Sequence, residues 1–105
     1  MTDAEVTCRE PAPGTVEIVV TGEIDLQNAG AVERRIHDMV DNEARSVTID
    51  LGALEYLDSA GLRVLFTLAS RLELLQVAFD VRVPEGSIVR RAVDLSGLGD
   101  IVAVH

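Results

Sequence analysis

The apolar positions of this chain change period several times, and each change marks an element. Val6 and Cys8 alternate with polar neighbours and predict a short first strand; the cluster Pro11-Ala12-Pro13-Gly14 then reads as a turn. Val16, Ile18 and Val20 alternate with Thr15, Glu17 and Thr21, which predicts a second strand, paired with the first as a hairpin and ended by Gly22. From Asn28 to about Val40 the period lengthens. Ala29, Val32, Ile36, Met39 and Val40 recur at steps of three and four, so this stretch is an amphipathic helix with Glu33, Arg34, His37, Asp38 and Asp41 on its wet side. Val47 to Leu51 is a short β-branched run, expected as a central strand covered on both faces.

A longer helix is predicted over Ser59–Leu75, capped by Asp58 or Ser59, either of which can accept from an orphan N–H of the first turn. Leu62, Leu65, Phe66, Ala69 and Leu72 form its core stripe. Ala60, Val64, Leu68 and Leu75 widen that stripe until Arg63, Thr67, Ser70 and Arg71 are left as a narrow polar strip. An arc this wide implies deep burial or a flank that meets a partner. Phe79, Val81 and Val83 give a further strand, broken by Pro84-Glu85-Gly86. Ser87 caps a third helix, Ile88 to Leu95, closed by Gly97, and Ile101 to Val104 forms an edge strand or an extended tail. The expected order is β-β-α-β-α-β-α. That is an α/β fold, one mixed sheet of four to five strands with helices packed against it, spanning residues 1–105 as a single domain.

Composition narrows the function. Of 105 residues 48% are apolar but only 3% aromatic, so the core is aliphatic. Eighteen acidic side chains against nine basic ones give a net charge of −9, and all nine cations are arginine. Nucleic-acid binding and an anionic membrane surface both require a basic patch and are excluded as partners; a partner with a basic face suits this chain. Cys8 is alone, so no intrachain disulfide forms, and the chain reads as cytoplasmic and reduced. Met1–Glu10 is polar and acidic where a signal peptide needs a basic and then an apolar segment. The stretch Leu62–Leu75 is too short and too interrupted by charge to span a bilayer.

Catalytic patterns are missing. Ser59 lies on a strand-to-helix turn, but its candidate bases are the terminal His105 and the wet-side His37, and no lysine exists for a phosphate-binding loop. Asp25, Asp50 and Asp58 fall at or just beyond strand ends, where three carboxylates could hold Mg²⁺ as in receiver domains. Those domains need a lysine and begin β-α-β; this chain has neither feature. The local reading is therefore preferred: Asp58 caps a helix, Asp25 ends a strand, and Asp50 accepts backbone N–H groups. No catalytic residue, metal or cofactor is expected.

Three segments carry a resemblance. Val47–Leu62 runs from a buried strand through a short loop into Asp58-Ser59-Ala60-Gly61-Leu62 at a helix start. Val20–Leu26 contains Gly22-Glu23-Ile24-Asp25-Leu26, and Val89–Leu98 forms the closing helix. In this order and spacing they resemble the STAS domain of anti-sigma factor antagonists. The resemblance implies a binding protein that engages an anti-sigma factor, often a serine kinase, and so frees a sigma factor. It implies phosphorylation at Ser59, the residue after the motif aspartate, and reversal by a phosphatase. Many members carry a second serine where Ala60 stands, so Ser59 is the one hydroxyl in this motif. The expected partner surface combines Glu23, Asp25, Asp58, Ser59, Gly61, Arg63 and Thr67, with Gly61 leaving backbone space beside Ser59 for a kinase, on a monomer or weak dimer. An alternative is a STAS subunit of a stress-signalling scaffold or lipid-transport assembly, without sigma-factor control.

Overall fold

Each apolar run finds cover in a computed structural model that describes residues 2–105. The elements are β1 (Ala4–Ala12), β2 (Thr15–Ile24), α1 (Ala29–Met39), β3 (Ser46–Asp50), β4 (Leu54–Leu57), α2 (Ser59–Leu74), β5 (Ala78–Arg82), α3 (Ile88–Ser96), a 3₁₀ turn (Leu98–Asp100) and β6 (Ala103–Val104). The six described strands form one mixed sheet in the order β1-β2-β3-β5-β6, with β4 also beside β2. The β1–β2 pair is antiparallel and every other pair is parallel.

Two expectations about strands change. Strand β1 is nine residues long rather than short, and it runs into the Pro11 turn with a register shift between Arg9 and Ala12. Leu54–Leu57, expected as loop, is a strand. Strand β2 outlasts β3: its Thr15–Val19 half pairs with β3, and its Gly22–Ile24 end pairs with β4 instead.

The helices share one face. The parallel steps β2→β3, β3→β5 and β5→β6 all move in one direction across the sheet. Right-handed crossovers then place α1, α2 and α3 on the same side. The register lines up Ile18, Ile49 and Val81 across the sheet towards that side, all with no exposed surface. Helix α2 packs against α1, α3 and the sheet, which explains its wide apolar arc: Val64, Leu65, Leu68, Ala69 and Leu72 are all buried. The opposite face departs from the expected two-sided cover of β3. There Glu17, Thr48 and Asp80 align in register. Thr48 is buried by its neighbours and donates to Asp80 Oδ1, at 2.5 Å.

Candidate functional site

The C-terminal ends of β2 and β4 deliver two turns to one end of the sheet. In the first, Asp25 begins a tight turn into α1. Its backbone C=O accepts from Ala29 N (2.9 Å), its Oδ1 accepts from Gln27 N (2.8 Å), and its N–H donates to Asn28 Oδ1 (3.0 Å). Asn28 Nδ2 in turn donates to the Glu23 carbonyl (2.8 Å). The Thr2 hydroxyl donates to Asp25 Oδ2 at 2.6 Å, and this bond is the main reason the Asp25 carboxyl sits below its ordinary value, with the Gln27 N–H reinforcing it.

In the second turn, Asp58 rather than Ser59 is the cap. Its backbone is extended, and its Oδ1 accepts from Ala60 N (2.9 Å) and Gly61 N (3.2 Å). The two turns are joined through the same residue. Asp58 N donates to Ile24 O (3.2 Å), and Asp58 Oδ2 accepts from Leu26 N (3.3 Å). One carboxylate therefore fixes both the helix start and the neighbouring turn.

Ser59 follows as the first helical residue. It is exposed, and its hydroxyl has no hydrogen-bond partner among the described residues. Arg63 and Thr67 are exposed one and two turns further along α2. Gly61 is different. It is buried, and a Cβ there would stand 2.7 Å from Leu57 Cδ1 and 3.2 Å from Ile24 Cγ2. The expected open space for a partner beside Gly61 is thus filled by the protein's own core, and Gly61 is a packing residue. Two apolar side chains complete the surface: Leu26 is 82% exposed, and Tyr56, in register with Glu23 across β4 and β2, is 46% exposed. Neither follows from periodicity, because an exposed leucine in a turn leaves no repeat to detect and β4 was not expected.

The other candidates separate from this end. Asp50 accepts from Gly52 N (2.7 Å), and no group of three or more His, Cys, Asp or Glu among the described residues could hold a metal. His37, expected on the wet side of α1, is half-buried. Its Nδ1 meets Arg71 of α2, and its Nε2 is buried without a partner among the described residues. Both line a pocket of about 190 Å³ at the far end of α2 from Ser59. No described helix is long and apolar enough to cross a membrane.

Comparison with known proteins adds a family. Residues 9–105 match the model of the STAS domain. The chain is 38% identical over 85 residues to the anti-sigma-F factor antagonist RsfB of Mycobacterium tuberculosis, covering 81% of this chain and 68% of that protein. Its fold is similar to that of an anti-sigma factor antagonist from Mycobacterium paratuberculosis, with a TM-score of 0.85 at 28% identity over 98% of this chain and 86% of the other. It also resembles the unphosphorylated anti-sigma factor antagonist SpoIIAA, with a TM-score of 0.77 at 20% identity, covering 96% and 88% of the two chains. That last likeness bears on the fold alone.

Proposed function

This chain belongs to the STAS domain family and is an anti-sigma factor antagonist, and we propose that it binds its anti-sigma factor with the sheet end around Ser59 and releases it when Ser59 is phosphorylated. Its activity is binding, not turnover. The observation that carries the proposal is the state of Ser59: an exposed hydroxyl with no hydrogen-bond partner among the described residues, at the sheet end that also exposes Leu26 and Tyr56, and followed by Arg63 and Thr67. Apolar side chains beside a polar rim suit a protein partner. Glu23 contributes an exposed carboxylate, and Asp25 and Asp58 brace the two turns from within.

The switch follows from charge. A phosphoryl group adds roughly −1.5 to −2. A helix N-terminus ordinarily welcomes an anion through its free N–H groups. Here Asp58 already occupies the Ala60 and Gly61 donors, so the phosphate gains little from the backbone and stands against a carboxylate. The fold tolerates this, because Ser59 is exposed and the hydrogen bonds that hold the two turns run through Asp58. An interface does not: desolvating that charge without a matching cation costs several kcal/mol, and each ~1.4 kcal/mol is tenfold in affinity. In this reading the anti-sigma factor, or a kinase associated with it, transfers the phosphate, a phosphatase removes it, and the exchange takes place in the cytoplasm.

The test uses the chain, Ser59→Ala and Ser59→Asp as baits in extract of the source organism, with captured proteins identified by mass spectrometry. Wild type and Ser59→Ala should retain the same anti-sigma factor and Ser59→Asp should lose it. Incubation of the chain with that partner and ATP should place phosphate on Ser59 within the tryptic peptide Ser46–Arg63. Phosphate on Thr48 or Thr67 with Ser59 bare, or undiminished capture by Ser59→Asp, would reject the switch.

A further inference from the structure

We propose that the outer edge of β1 is a docking strand for a second copy of this chain, paired antiparallel about a two-fold axis at Thr7. The inference is independent of Ser59 and rests on which backbone groups the edge leaves open. The Asp3 carbonyl accepts from Glu23 N at 2.9 Å, so Asp3 faces β2. Backbone direction alternates along a strand, so Glu5, Thr7 and Arg9 also turn their N–H and C=O groups to β2. Ala4, Val6 and Cys8 turn theirs outwards. Ala4 O takes a long 3.5 Å bond from Arg35 Nη1. The outward groups of Val6 and Cys8 have no partner among the described residues, and such an edge is a template for strand addition.

Charge chooses the occupant. Glu5, Thr7 and Arg9 are exposed on the open polar face of the sheet. Read in reverse, Glu-x-Thr-x-Arg is its own complement. With Thr7 opposite Thr7 of the second copy, Val6 and the second copy's Cys8 exchange backbone bonds, and Glu5 lies opposite the second copy's Arg9, twice by symmetry. These are the non-hydrogen-bonded pairs, with Cα atoms only about 4.5 Å apart. Slipping by one residue sets outward groups against inward ones. Slipping by two breaks both Glu5–Arg9 pairs; in the direction that sets Asp3 opposite Arg9, Glu5 moves to Thr7, so that register would be indifferent to Glu5→Arg. The guanidinium has capacity to spare: Arg9 donates Nε (3.0 Å) and Nη2 (2.8 Å) to Glu17 Oε1, leaving Nη1 for the incoming carboxylate. Edges are commonly protected by like charges that repel a second copy; this one carries opposite charges at the matched spacing.

Sedimentation equilibrium under reducing conditions, between about 10 μM and about 1 mM, reads the outcome as a rise from one chain mass towards two. Glu5→Arg and Arg9→Glu should each stay at one chain mass over that range. An equal mixture of the two variants should regain dimer, because the arginine introduced at position 5 of one chain then meets the glutamate introduced at position 9 of the other, while the first chain's own Arg9 meets the second chain's own Glu5. Amide exchange at Val6 and Cys8 in the wild type should slow as concentration rises. A wild type that stays monomeric, a Glu5→Arg variant that dimerises like wild type, or exchange at Val6 and Cys8 that ignores concentration would overturn the proposal. A mixture of folded variants that fails to associate would overturn it too.

Discussion

Asp58→Ala should destabilise this protein far more than Ser59→Ala, although the two residues are neighbours at the same helix start. The carboxylate accepts from Ala60 N and Gly61 N through one oxygen and from Leu26 N through the other. Removing a cap costs about 0.5–2 kcal/mol, and a further lost hydrogen bond about 1 kcal/mol. Together this is about 2 kcal/mol, or a fall in melting temperature of about 10 °C for a domain of this size. Asp58→Asn keeps the Oδ1 acceptor but turns an N–H₂ towards the Leu26 N–H, so it should lose about half as much. Ser59 at the first helical position makes no bond to lose, and alanine is the better helix former there, so Ser59→Ala should change stability by less than ~0.5 kcal/mol in either direction. Urea unfolding followed by circular dichroism measures all three. Equal losses for Asp58→Ala and Ser59→Ala would show that the cap is not where the hydrogen bonds place it.

Two further outcomes follow from the same end of the sheet. Gly61→Ala sets the helix-propensity gain of about 1 kcal/mol against overpacking at Leu57 and Ile24, which costs about 1–3 kcal/mol; net destabilisation is expected, and Leu57→Ala in the same chain should remove the larger part of the penalty of the added methyl and leave the Ile24 contact, as a double-mutant cycle by urea unfolding would report. The Asp25 carboxyl is held below the ordinary aspartate value, so its ionised form favours the folded state: that stabilisation is complete above the unfolded value and is lost as pH falls through the lower folded value. Thr2→Val removes the largest cause, so an NMR titration of the Asp25 carboxyl should move up towards the ordinary value; an unchanged midpoint would reject the Thr2 bond as its source.

The elements that bury a regular stripe were legible in the sequence, because a repeat of two or of three to four survives whatever packs against it. Strand β2 and the helices α1, α2 and α3 are of this kind, and so is the Asp-Ser motif that opens α2. Strand β4 was not legible. Leu54-Glu55-Tyr56-Leu57 has apolar residues at both ends and two exposed ones between, so it shows neither period, and it exists because β2 outlasts β3 and leaves an edge to be paired. The choice of cap was undecidable from residue type, since Asp and Ser both accept; the extended backbone at Asp58 decides it. Gly61 read as open space because a missing side chain looks the same whether solvent or Leu57 fills the gap. His37 read as wet because helix periodicity marks the face towards the sheet and is blind to a helix packed alongside.

The division of labour between Asp58 and Ser59 gives the proposed switch its reversibility. A serine that capped the helix would have its oxygen committed to backbone N–H groups, and a phosphoryl group on that oxygen would trade capping strength against charge repulsion within the fold. Here the cap belongs to Asp58, whose second oxygen also ties down the Leu26 turn. Ser59 is left with an oxygen that takes no hydrogen bond among the described residues, one residue past the cap and at the sheet end that exposes Leu26 and Tyr56. Its modification then changes the charge of the surface by almost two units while the hydrogen bonds that hold both turns stay in place. The stability of the fold and the affinity of the surface become separate quantities, so phosphorylation can act on the second with little effect on the first.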